Sequence, residues 1–183
     1  MDKRYQKAEE LIRKAFFAML GEMPVYKITV SELCRRTNIN RGTFYLHYQD
    51  CYELIEVLSN EIVKLFLPYV ENICKNRDEI ETNVISMLQI LTENSDAARL
   101  IQSSDMCREI INRRFRAVVQ ENWKRLSNIS DVEADIIYSY ISGGVFAVVN
   151  DVKFGRDNAE GEAEANYECI CRLIINGLSA FVH

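Results

Sequence analysis

Apolar residues recur along most of this chain at steps of three and four, the spacing that gathers side chains on one face of a helix. Over residues 3–20 the stripe is Ala8, Leu11, Ile12, Ala15, Phe16, Met19 and Leu20, with Lys7, Glu10, Arg13 and Lys14 on the other side. Gly21 suits the end of that helix and Pro24 cannot continue it. Two short patterns follow, at 30–37 and 41–48, separated by Asn38-Ile39-Asn40. Val30, Leu33, Cys34 and Thr37 share one side of the first, and Phe44 and Tyr48 face inward from the second. A longer stripe, Leu54, Ile55, Leu58, Ile62 and Leu65, carries a helix to about Phe66, and Pro68 marks a break or kink. Further helices are expected at about 78–92, 97–102, 105–126, 132–151 and 160–181. Lys153–Gly161 (KFGRDNAEG) reads as a loop. The pattern predicts an all-α chain of about nine helices.

The short helices carry their own start signals. Thr29-Val30-Ser31-Glu32 fits a capping box, in which the hydroxyl accepts from the Glu32 amide and the carboxylate reaches back to the Thr29 amide. Asn40 caps the next helix, and Asp50 followed by Glu53 marks the start of the long one. Ser130 and Glu133 repeat the box before the penultimate helix. Two helices of eight or so residues cannot bury a core alone, so they need the first helix beneath them. Residues 1–50 are therefore expected to form a three-helix helix-turn-helix domain, and residues 51–183 a larger helical domain.

Composition supports this and narrows the chemistry. Two prolines and seven glycines in 183 residues suit long helices better than a loop-rich β fold. The net charge of −5 hides an asymmetry: residues 1–50 hold nine Lys/Arg against six Asp/Glu, a balance of +3, so the remainder carries −8. A basic head on an acidic body suits a protein that brings one end to a polyanion. No apolar run approaches the roughly 18 residues of a membrane span, and the charged N-terminus has no signal core. A cytoplasmic protein with no membrane partner is expected. The six cysteines then read as reduced apolar fillers. Cys169 and Cys171 sit about 200° apart on a helix, a poor metal clip. No metal site or cofactor is expected. With two histidines, and no nucleophile elbow, phosphate loop or paired-histidine motif, an enzyme is not expected.

A helix-turn-helix lays its second helix in the DNA major groove. Arg41, at the start of that helix, suits a bidentate contact to guanine or a pair with phosphate. Thr43 offers a hydroxyl and a methyl, and Tyr45 and His47 carry polar tips on apolar bodies. Thr29 and Ser31 present hydroxyls and free amides at the preceding helix N-terminus, a phosphate position. Spacing alone is shared by any small three-helix unit.

The segment ITVSELCRRTNINRGTFYLHYQDCYELIEVL resembles the DNA-binding domain of the TetR (tetracycline-repressor-like) family of bacterial transcriptional regulators. The likeness spans about residues 5–60 and is densest over Thr29–Tyr48. It implies a homodimer whose last two helices form a four-helix bundle with those of the partner copy, and a ligand-binding larger domain. By position, Arg41, Thr43, Tyr45 and His47 fall where family members contact DNA, and Thr29 and Ser31 where the preceding helix meets the backbone. The segment YSYISGGVFAVVNDVKFG is similar to a C-terminal subtype common in Firmicutes. Two positions depart from the pattern. Cys51 replaces a Lys that commonly meets a phosphate, and Asn38 replaces a common Gly.

Wide apolar faces on the last two helices point the same way, toward a second copy. Tyr140, Gly144 and Val148 on one helix and Cys171, Ile174 and Leu178 on the other are the interface residues expected. The mid-helix pair Gly143-Gly144 costs about 1 kcal/mol per Gly, which a close backbone approach or a bend would explain. Met87, Leu91, Met106, Phe115, Trp123 and Tyr140 are candidate lining for a small-molecule effector. The reading is a ligand-responsive regulator, most simply a repressor, on a palindromic double-stranded operator. An alternative is a protein-interaction adaptor that kept the fold but weakened DNA binding, motivated by Cys51 and the modest head charge. A third is a thiol sensor using Cys51 or Cys107.

Overall fold

A computed structural model describes residues 3–75, 79–93, 95–103, 105–126, 130–151 and 162–179. Among these, the helices in chain order are α1 (Lys3–Leu20), α2 (Val30–Thr37), α3 (Arg41–Tyr45), α4 (Cys51–Lys75), α5 (Ile80–Glu93), α6 (Ser95–Ser103), α7 (Asp105–Leu126), α8 (Asp131–Asp151) and α9 (Glu162–Ser179), with a single 3-10 turn at Val25–Lys27. The all-α expectation holds for the described residues. The loop expected at 153–161 lies outside them.

The chain forms two compact units. The first comprises Met1–Ile62 with Asp96–Ile111, and the second Val63–Ser95 with Asn112–His183. In the first, α1 packs on α2 and α3, and α2 on α3. Ile12, Phe16 and Met19 of α1, Leu33 of α2, Phe44 of α3 and Leu54 of α4 are wholly buried. Ala8 is buried as expected and Phe17 is buried as well, whereas Leu11 lies at the surface and Ala15 and Leu20 are half-buried, so the buried stripe of α1 keeps Ala8, Ile12, Phe16 and Met19 and turns toward Phe17. In the second unit, α9 packs on both α5 and α8. Its core gathers Val70, Ile80, Val84, Val119, Ala134, Ile137, Tyr138, Ile170 and Cys171.

Pro68 does not end the long helix, which continues through it to Lys75. Proline removes one helical donor, so the carbonyl four residues back, on Lys64, loses its partner. Lys64 and Pro68 both face solvent, where water can serve that carbonyl. The buried stripe then runs through Ile62, Val63, Phe66 and Val70, and Leu65 is turned outward.

The caps are local and form largely as the residue types dictate. Thr29 Oγ1 accepts from the Glu32 amide at 3.2 Å. The Glu32 carboxylate does not close the box on Thr29: it accepts from Arg35 and Arg36 instead. Guanidinium donors one turn along outbid a backbone amide because both partners are charged. The box at Ser130 is complete, with the Ser130 amide donating to the Glu133 carboxylate at 2.8 Å and the Glu133 amide to the Ser130 hydroxyl at 3.3 Å. The Ser130 hydroxyl also donates to that carboxylate at 2.7 Å, and it first, then the Ser130 amide, holds the Glu133 carboxyl below its ordinary range, since both bonds favour the charged form.

Candidate nucleic-acid interface

The joint between α2 and α3 is set by two asparagines. Asn38 adopts the left-handed conformation with φ 56°, and its amide donates to the Cys34 carbonyl, so α2 ends in one residue. Asn40 is extended, and its side-chain oxygen accepts from the Thr43 amide at 2.7 Å and from the Thr43 hydroxyl at 3.0 Å. A Cβ on Gly42 would come within 3.2 Å of that oxygen, so the small residue keeps the cap unobstructed. The regular helix stops at Tyr45, three residues short of expectation, because a turn carries the Leu46–His47 backbone. Phe44 and Tyr48 are nonetheless both buried, in mutual ring contact at 5.8 Å between centroids.

The six predicted DNA-contact residues do not stand alike. The Arg41 guanidinium donates to the Ser31 hydroxyl at 2.6 Å, joining the starts of α2 and α3 on the exposed surface. Thr29 and Ser31 are exposed beside it. Tyr45 is exposed, whereas the Thr43 hydroxyl is spent on the Asn40 cap. His47 is half-buried beneath Tyr5 of α1, with ring centroids 3.9 Å apart and planes tilted by 35°. Its Nε2 is buried and has no hydrogen-bond partner among the described residues. Leu46, which the pattern did not single out, stands 72% exposed between Tyr45 and His47. Its exposure follows from the turn after Tyr45, which helical periodicity does not anticipate.

The charge around this surface is partly committed. Arg36 donates to both Glu22 and Glu32, at 2.6 Å and 3.0 Å. Glu32 is held down to about 2, first by its bonds from Arg35 and then by those from Arg36. Arg35 keeps most of its side chain in solvent. Cys51, at the first position of α4, is half-buried, and burial first, then the neighbouring Asp50, pushes its thiol up to about 11. A thiol kept protonated is a poor nucleophile.

A second polar cluster ties α1 to the end of the joint and to α4. Arg13 donates bidentately to Glu61, with Glu9 also within ion-pair distance at 3.7 Å. The Tyr48 hydroxyl donates to Glu9 at 3.5 Å, and burial pushes its phenol up to about 12.

The six candidate effector residues are spread over both compact units. Met87 and Phe115 pack against the second unit's core, Tyr140 is largely exposed, and Met106 belongs to the first unit. The side chains of Leu91 and Trp123 lie outside the described residues. Of the interface residues, Tyr140 and Gly144 are exposed, Cys171 is buried in the second unit's core and Ile174 packs against it. The side chains of Val148 and Leu178 are outside the described residues. A Cβ at Gly143 or Gly144 would meet nothing within 4 Å among the described residues, so none of their backbone approaches there.

No protein-family model matches the chain. A segment of 59 residues, 32% of this chain, is 39% identical to an uncharacterized HTH-type transcriptional regulator, YxbF, from Bacillus subtilis (strain 168), and spans 16% of that protein. Solved structures cover nearly the whole chain. The fatty acid degradation regulator FadR from Bacillus halodurans superposes with a TM-score of 0.68 at 15% identity, over 97% of each chain. A TetR transcriptional regulator from Streptococcus agalactiae 2603V superposes with a TM-score of 0.65 at 22% identity, over 94% of this chain and 96% of that one. The fold is that of the TetR-family transcriptional regulators.

Proposed function

We propose that this chain is a ligand-responsive transcriptional regulator, most simply a repressor, that binds a palindromic operator as a homodimer. The observation that carries the reading is the α2–α3 joint. Asn38 and Asn40 fix its geometry, and Arg41, Ser31, Thr29, Tyr45 and Leu46 are left at the surface around it. The likeness of a 59-residue segment to an HTH-type regulator supports it. Residues 1–50 act as the reading head and 51–183 as the effector and dimerisation domain.

The two-fold contact is carried by the exposed stripe Val132, Ile136, Tyr140 and Gly143-Gly144 on α8, with Cys169 and Leu173 on α9. Cys171 and Ile174 support that face from behind. Two heads then engage half-sites roughly 34–36 Å apart, one turn of the duplex. An effector in the second unit needs to shift operator affinity by only about 1–3 kcal/mol to act as a switch.

Selection of bound duplexes from a random pool at low salt tests this. A palindromic sequence should be enriched, and recovery of unrelated sequences would refute it. The adaptor reading draws on the committed charge of Arg36 and on Cys51, and predicts no enrichment together with a stable protein partner.

A further inference from the structure

We infer that Tyr5 of α1 is a positioning residue for the DNA contact: it covers His47 and holds the imidazole as the Nδ1–H tautomer, so that Nδ1 is the atom offered to a phosphate. This rests on the DNA-binding reading above.

Phosphate oxygens take hydrogen bonds and give none, so the ring nitrogen that meets one must carry a proton. A neutral imidazole has one N–H and one bare nitrogen, and its surroundings decide which is which. Here Nε2 is buried and lacks a partner among the described residues, so it cannot reach a phosphate. A proton placed there would be an orphaned buried donor, a state rarer in proteins than an orphaned acceptor. The Tyr5 ring does not relieve it. With the planes only 35° apart, an in-plane N–H points past that ring rather than into its face. The proton therefore belongs on Nδ1, the ring nitrogen that is not among the buried, partnerless atoms.

Tyr5 is itself held in place. Its hydroxyl donates to the Leu46 carbonyl at 3.5 Å, a long bond, so the stacked ring supplies most of the restraint. The contact ties the first helix to the turn after α3, whose backbone is held by the His47 and Tyr48 amides donating to the Phe44 carbonyl.

The test uses the full chain without a histidine tag. The sequence holds two histidines, His47 and His183, so a long-range nitrogen–proton spectrum shows two ring systems, and His47→Gln assigns them. Recorded above the ordinary imidazole range of about 6.5, His47 should appear as Nδ1–H in the wild type and in Tyr5→Phe. Tyr5→Ala should relax it to a mixture of tautomers. On the duplex enriched by the wild type, Tyr5→Ala should weaken binding about tenfold, because the ring loses both its fixed tautomer and its orientation. Tyr5→Phe should stay within about threefold, given how weak the hydroxyl bond is. In a His47→Gln background Tyr5→Ala should cost nothing further, which a merely structural role would not give. Should Tyr5→Ala fail to fold, Tyr5→Leu keeps the apolar bulk without the ring and takes its place. An Nε2–H signal in the wild type overturns the proposal, as does an unchanged tautomer in Tyr5→Ala or an undiminished loss in the double variant. If the wild type enriches no duplex, the regulator reading fails, while the tautomer measurement still decides what Tyr5 does to His47.

Discussion

Arg41 is placed where one side chain can answer for both helices of the joint. Its bond to Ser31 holds the guanidinium at the surface without neutralising it, since a hydroxyl carries no charge. Arg41→Ala should weaken operator binding by about 1.5–3 kcal/mol, the range for a hydrogen bond to a charged group. It should also flatten the dependence of log affinity on log salt by about one unit per head. Fluorescence anisotropy across a salt series reads both. Glu32 gives a pH signature at the same scale. Its folded value, about 2, lies below its ordinary 4.5. Its stabilising contribution is therefore complete above about 4.5 and is lost as pH falls toward about 2. Thermal melts of wild type and Glu32→Gln should differ at neutral pH, converge through that window and coincide near its lower end. A difference that grows on acidification would contradict the assignment.

At the scale of elements, the most informative position is Asn38, which ends α2 in the left-handed conformation. Asn38→Gly should be neutral or stabilising, since glycine adopts that backbone freely. Asn38→Ala should cost about 1–2 kcal/mol, the penalty an L-residue bears there. Chemical denaturation of the three forms orders them. What could be read from the sequence follows from range. The starts of α2, α3 and α8 depend on residues three apart, and Thr29, Asn40 and Ser130 declare them locally. The separation of α2 from α3 at Asn38-Ile39-Asn40 was legible for the same reason, since asparagine tolerates the left-handed backbone. The end of α3 was not, because whether the chain turns at Leu46 depends on Phe44 and Tyr48 both finding the core. The fate of the Glu32 carboxylate was hidden by competition, since a backbone amide and two guanidinium groups lie within reach of it. The Tyr5–His47 stack joins residues on different helices, and no local pattern signals it. Pro68 does not break α4: its rule is right about the lost bond, but solvent on that face lets the helix run on.

For the whole molecule, the stripe of α8 stands largely open to solvent among the described residues. Ile136 and Tyr140 are 63% and 72% exposed, one helical turn apart, and a Cβ on either glycine beyond them would meet nothing within 4 Å among those residues. Ile136→Glu combined with Tyr140→Glu should leave each chain folded and yield a monomer by sedimentation velocity, with operator affinity falling far more than any single head contact accounts for. Unchanged mass would remove this face from the interface. The proposed placing of the dimer on α8 and α9 and of the reading surface on α2 and α3 would assign recognition and pairing to different compact units, in line with the charge asymmetry of the chain. The most direct measurement is a footprint of the protein on a duplex enriched from a random pool, repeated with one half-site scrambled. The account predicts two protected patches centred roughly one duplex turn apart, and a large loss of affinity when either half is scrambled. A single patch, or protection indifferent to the scrambled half, would contradict it.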